Sequence, residues 1–183
     1  MKLNDDEQAM YEGRDGPAVQ RAMDLLVRYG EALGAERLVD TNNVCGTVSA
    51  TTPFMRQFAQ REGGMDAVFS EFNLDSADVV SIPPAKVFTS HLQLGFDPEH
   101  ADKMDVSPEV IQFYRKGERY VANHGIQLLN TCTPYQVGNI PTQGEHCAWM
   151  ESSAVVYCNS VLGGRTNTEG RESVGAAMLT ARI

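Results

Sequence analysis

The sequence predicts an α/β fold with a mainly parallel sheet, on three observations. Helical patterns alternate with short apolar runs, glycine or proline marks most of the changes, and charge drains away in the second half of the chain. Of the 183 residues 42% are hydrophobic, enough to bury the core of about one domain. Residues 1–120 hold 12 basic and 20 acidic side chains, whereas residues 121–183 hold only Arg165, Arg171 and Arg182 against Glu145, Glu151, Glu169 and Glu172. A stretch so poor in charge belongs in a core or a covered cleft, so the site chemistry is expected there.

The first clear helix opens at Gly16-Pro17, where proline suits the initial turn. Val19, Ala22, Met23, Leu26 and Tyr29 then form one apolar stripe up to Gly30 or Gly34. Arg37–Asp40 reads as a short strand and 41–47 as a polar loop leaving it. Thr52-Pro53 is expected to cap a short helix through Phe58 that Gly63-Gly64 stops. The runs 79–81 and 86–89, interrupted by Pro83-Pro84, read as edge-strand pieces. Ser107-Pro108-Glu109 starts a helix that stops at Gly125, and Ile126–Leu129 reads as a buried strand. A nearly charge-free helical pattern covers 148–162 and ends at Gly163-Gly164; a last helix runs from Ser173 to Ile183 with no stop signal, as though the chain were part of a longer polypeptide.

A net charge of −9 and a pI near 4.8 argue against nucleic acid as a partner, because phosphate neutralisation needs clustered Lys and Arg. No apolar run approaches the ~18 residues of a membrane span, and Asn4-Asp5-Asp6-Glu7 is unlike a secretory signal. The chain reads as cytoplasmic, with Cys45, Cys132, Cys147 and Cys158 reduced.

Cys132 follows an apolar strand and precedes a proline-fixed turn, a posture suited to a thiolate ligand or nucleophile, although a buried small hydrophobe is the more ordinary reading of a lone cysteine. Cys147 and Cys158, eleven residues apart on one expected helix, would sit on one face but roughly 16 Å apart along it, too far to share a metal. Cys45 either lines a pocket or steadies a turn. His146 beside Glu145 can shuttle a proton or cap an element. His91, His100 and His124 carry no acidic or cysteine partner at ligand spacing, and His124 suits a helix carboxyl end. Glu151-Ser152-Ser153 on an apolar helix implies a polar cavity, and Arg165 can bind a substrate carboxylate or pair with Glu169.

Four runs carry a resemblance: Cys132-Thr133-Pro134-Tyr135, Val137-Gly138-Asn139, Gly144 to Tyr157, and Asn159 to Asn167. Together they closely resemble the large, catalytic component of aconitase X, and the similarity extends back through 3–10, 16–19 and 40–47 to cover essentially the whole chain. The resemblance implies an aconitase-like α/β architecture of which residues 1–183 form the N-terminal portion. A further catalytic part and a small swivelling domain, fused or supplied as a subunit, would lie outside it. It implies a hydro-lyase that dehydrates a small hydroxy acid with an iron–sulfur cluster or mononuclear iron held by three cysteines. Cys132 matches the first of the three; Cys147 and Cys158 stand where relatives often carry apolar residues.

Two substrates divide the family. The run Asn42-Asn43-Val44-Cys45-Gly46-Thr47 looks like the cis-3-hydroxy-L-proline type, whereas the mevalonate 5-phosphate type tends to carry a His-Val-Ser-Gly-like run here. Only Arg165 in residues 121–170 offers a cation to a phosphate. The expected reaction is therefore dehydration of cis-3-hydroxy-L-proline to a pyrroline-2-carboxylate. Cys132 would bind the metal, Glu145, His146 and Glu151 would serve catalysis, and Asn43, Cys45, Ser152 and Arg165 would line the substrate. The alternatives are mevalonate 5-phosphate dehydration or a non-catalytic binding subunit.

Overall fold

In a computed structural model, which describes residues 1–46, 56–91, 97 and 99–183, three parallel strands form the centre of the fold. The middle strand β1 (Asn43–Gly46) pairs with β2 (Phe88–His91) on one side and β3 (Cys147–Trp149) on the other. Cys45 stands opposite Ser90 and Trp149 in the register. Less regular segments lengthen the sheet at both edges. Gln127 exchanges backbone hydrogen bonds with β2, and the segment 165–169 runs beside β3, where Cys147 N–H donates to Arg165 O and Glu169 N–H to Trp149 O.

All four residues of β1 are buried, as a central parallel strand requires. The expected polar loop over 41–47 is thus a strand from Asn43 to Gly46, and Thr47 and the Thr52-Pro53 cap lie outside the described residues. Arg37–Asp40 is not a strand: it makes isolated bridges from Arg37 to Lys2 and from Asp40 to Arg182. Only the later of the two edge pieces becomes a strand, beginning at Phe88. Ile126–Leu129 is not a buried strand either, since Ile126 alone is buried and Leu128 is exposed.

On one face of the sheet, Val44 and Ala148 pack against α2 (Pro17–Ala32) and α7 (Arg171–Thr180), which also pack on each other. The α2 stripe Val19, Ala22, Met23 and Leu26 is buried there, each large side chain contributing about 1.5–3 kcal/mol. Close approach of α7 needs glycine at 46, because a Cβ there would collide with Val174 Cγ1. Helix α7 does have a stop: Ala181 takes a left-handed conformation (φ 61°), and Ile183 turns back to pair with Val39.

Helix α1 (Asp5–Tyr11) begins with a capping box in which Asn4 and Glu7 exchange side-chain to backbone bonds of 2.9 Å. Arg182 fastens the opposite end of the chain to it, reaching Glu7 at 3.1 Å, Asp6 at 3.1 Å and Asp40 at 2.8 Å. Helices α3 (Arg56–Ala59) and α4 (Met65–Asn73) follow β1. Helix α5 (Pro108–Asn123) has the Ser107 cap and Gly125 stop read from sequence, and His124 seals its carboxyl end with Nδ1 on Tyr120 O. His100, by contrast, does have an acidic partner, Asp97 at 2.7 Å on the surface.

The single helix expected over 148–162 is overturned. Cys147–Trp149 is strand β3, α6 (Ser152–Tyr157) follows, and a π-helical turn (Cys158–Leu162) ends at left-handed Gly163. Pairing with β1 claims the first residues of the run, and Glu151 caps the helix only after the strand has ended.

Candidate functional site

The other face of the sheet carries a small cluster of Cys45, Cys147, Trp149, Ala154, Val155 and Cys158. Because β3 leads into α6, Cys147 and Cys158 are not held apart along one helix but lie in hydrogen-bond contact. That contact raises the Cys147 thiol and lowers the Cys158 thiol. Beneath the cluster lies a buried polar network. Trp149 Nε1 donates to Asn43 Oδ1 at 2.9 Å, Asn43 Nδ2 to Asn139 Oδ1 at 2.7 Å, and Asn139 Nδ2 to Ser90 Oγ at 3.1 Å. Parallel sheets place ligands beyond the carboxyl ends of their strands, and here those ends are Gly46, His91 and Trp149.

Cys132 reaches this rim on the loop after Asn130. Its neighbours Thr131 and Thr133 join their hydroxyls at 3.0 Å, and Thr133 N–H bonds Thr131 Oγ1 before the 3₁₀ turn Pro134–Gln136. Cys132, Cys45 and Glu151 lie within electrostatic reach of one another. Cys132 is half-buried, and its thiol is raised by burial and by the Glu151 carboxylate. Cys45 is fully buried and pushed up to about 11, chiefly by burial. At Glu151 burial pushes upward, but hydrogen bonds from the Ser153 hydroxyl, the Ala154 and Ser153 N–H groups and Ser152 outweigh it and hold the carboxylate below its usual range. Glu151 is thus the cap of α6, not a residue inside a helix, and Ser152 is the exposed first residue of that helix.

Glu145, His146 and Arg165 fall in a different place, along the outer edge of β3. Glu145 accepts hydrogen bonds from Thr142 N–H at 2.7 Å and its hydroxyl at 3.1 Å, closing a turn. His146 and Arg165 face each other across an isolated parallel bridge and line a cleft of about 300 Å³ with Asn159, Asn167 and Glu169. Arg165 makes no ion pair with Glu169. The Glu169 carboxylate is buried and neither oxygen has a hydrogen bond of good geometry; burial raises its pKa, with Ser173 and Asn167 only partly offsetting this. The structure therefore gathers Cys45, Cys132 and Glu151 near the rim, places Asn43 below them at the amino end of β1, and sets Glu145, His146 and Arg165 apart along the outer edge of β3.

Sequence reasoning gave no role to Ser90, His91, Asn139 or the indole of Trp149. Asn130 stood at the carboxyl end of the expected 126–129 strand, and Asn139 and Trp149 lay inside runs that carry the resemblance, but no local spacing showed their contacts. Among the described residues no three metal-ligating side chains converge. Cys132, a half-buried cysteine at the rim, has the sulfur chemistry an iron ligand needs, although the Glu151 carboxylate nearby favours its protonated form.

A parallel α/β domain whose carboxyl rim presents one approachable thiol over a polar network is the class these features define. The chain belongs to the aconitase X family: the model of the aconitase X first domain matches residues 1–183. It is 36% identical, over 98% of its length, to the phosphomevalonate dehydratase large subunit of Methanothermobacter thermautotrophicus. It is 28% identical, over 91% of its length, to the cis-3-hydroxy-L-proline dehydratase of Pseudomonas aeruginosa. The crystal structure of Thermococcus kodakaraensis aconitase X in its holo-form superposes over 100% of this chain with a TM-score of 0.76 at 30% identity. The chain spans 42% of the length of that structure and of the Methanothermobacter protein, and 26% of the Pseudomonas protein. No described helix is long and apolar enough to cross a membrane.

Proposed function

We propose that this chain supplies one wall of a hydro-lyase site that removes water from a small hydroxylated acid. The observation that supports it is the half-buried Cys132 thiol at the sheet's carboxyl rim, within reach of the Glu151 carboxylate. In this reading Cys132 holds one position of an iron or iron–sulfur centre. When bound, such a centre supplies a Lewis acid for the departing hydroxyl. Dehydration also breaks a neighbouring C–H bond, and Glu151, kept ionised by its donors, is this chain's carboxylate at the rim for holding that proton or orienting the substrate. Asn43 and Cys45 form the floor, with Asn43 fixed by Trp149 and Asn139 so that it cannot turn away. Glu145, His146 and Arg165 line the separate edge of β3, and this reading gives them no step at the rim. Remaining ligands, and a small swivelling domain, fused or supplied as a subunit, would lie outside residues 1–183.

Of the two substrates, phosphomevalonate has the better support, since large subunits named for it reach 36% identity against 28% for the hydroxyproline enzymes. The second reading, cis-3-hydroxy-L-proline, is favoured by the Asn43-Val44-Cys45-Gly46 run at the heart of the sheet. Anaerobic reconstitution with iron and sulfide, in the presence of the companion segments, followed by dehydration assays on both substrates tests the proposal. Cys132→Ala is expected to lose bound iron and all turnover. Undiminished iron in that variant would end the ligand assignment, and iron-free parent protein would favour a non-catalytic binding module.

A further inference from the structure

His91 closes β2 at the rim and is 1% exposed. Burial lowers its pKa, so the ring is neutral near pH 7, and Nδ1 donates to Asn130 Oδ1 at 3.0 Å. Asn130 lies two residues before Cys132 and takes a left-handed conformation (φ 51°), which asparagine tolerates better than most non-glycine residues. The backbone supports the same junction, because His91 N–H donates to Gln127 O at 2.7 Å. Beyond Asn130 the chain turns through the Thr131–Thr133 hydroxyl bridge, which carries Cys132 between its posts.

We propose that His91 is a positioning residue for Cys132: by latching Asn130 in its left-handed turn it fixes the direction in which the 130–133 loop presents the thiol. The proposal deepens the rim reading and relies on it for iron binding, but the placement of the thiol can be tested without metal. Cys45, Cys147 and Cys158 are at most 1% exposed, so iodoacetamide alkylation of the intact metal-free protein, followed by peptide mass spectrometry at Cys132 to separate it from cysteines outside residues 1–183, reports on this thiol.

His91→Phe removes the donor while keeping a ring, and Asn130→Ala removes the acceptor. Each is expected to raise the alkylation rate of Cys132 by about five- to tenfold, the scale of one lost buried hydrogen bond governing a local opening. The double variant should be no faster than either single one, because both break one bond. His91→Gln, whose amide can still donate, should stay within about twofold of the parent. Asn130→Gly, which tolerates the positive φ but lacks the acceptor, should react as fast as Asn130→Ala without losing as much thermal stability. If His91→Phe lowers the melting temperature but leaves Cys132 alkylation at the parent rate, the histidine is structural only and the proposal fails. If His91→Phe does not fold, His91→Gln and Asn130→Gly decide the matter by the same rate. A loop response in these variants with parent-level iron in reconstituted protein would sink the ligand reading of Cys132 while leaving the latch intact.

Discussion

The carboxyl rim and the outer edge of β3 are both polar, yet they are built on opposite terms. Beneath the rim the buried polar network is paired: Asn43, at the amino end of β1, gives and accepts, Trp149 donates, and Asn139 bonds on both sides. At the edge, the Glu169 carboxylate is buried without a good partner and the Arg165 guanidinium lies open beside it. A fully satisfied network rigidifies what stands above it, whereas an unsatisfied carboxylate costs stability wherever it is charged. The rim is thus pre-set for positioning, and the edge is not.

The sharpest way to break this contrast is Asn43→Ala. It strands the indole N–H of Trp149 and the Asn139 carboxamide in a dry interior, and should cost about 2–4 kcal/mol. Urea unfolding checks it; a loss below about 1 kcal/mol would mean that water replaces the amide and the network is no rigid floor.

That network also explains which parts of the fold the sequence conceals. Helices α2 and α5 were readable because their signals are local: Gly16-Pro17 and Ser107-Pro108 open them, and each stripe or stop lies within the same segment. Strand β1 was not, because Asn43 looks like a loop residue until its partners appear, 96 residues away at Asn139 and 106 away at Trp149. The same non-local pairing made 147–149 a strand where the apolar run alone reads as helix. At the site, Cys132 was legible as a residue and its loop as a turn, while the His91–Asn130 contact depends on a tertiary meeting that no spacing reveals. Glu145, His146 and Arg165 were grouped with Cys132 by the charge-poor segment they share and by the resemblance, and the pairing of 146 with 165 puts them along the outer edge of β3.

A middle-sized effect should come from pH at the edge. The Glu169 pKa is raised in the fold, so its contribution to stability is fully present below the ordinary glutamate range and is lost as pH rises through the raised value. Glu169→Gln removes that loss. Its stability relative to the parent should therefore grow as pH climbs from about 4 to 7, to on the order of 1 kcal/mol in the variant's favour. Thermal melts across that range would show it, and parallel parent and variant curves would mean that Asn167 and Ser173 satisfy the charge after all.

Arg165→Ala should do least. Its side chain is exposed and forms no ion pair among the described residues, so the change should stay within about 0.5 kcal/mol. Its backbone is another matter: Arg165 O accepts from Cys147 N–H at 2.8 Å and Arg165 N–H donates to Glu145 O at 2.8 Å, bonds that an alanine keeps. Cys132 alkylation should accordingly be unaltered in this variant. A thiol that reacted faster, without a matching loss of melting temperature, would show that the guanidinium communicates with the rim through β3, and the two regions would have to be treated as one site.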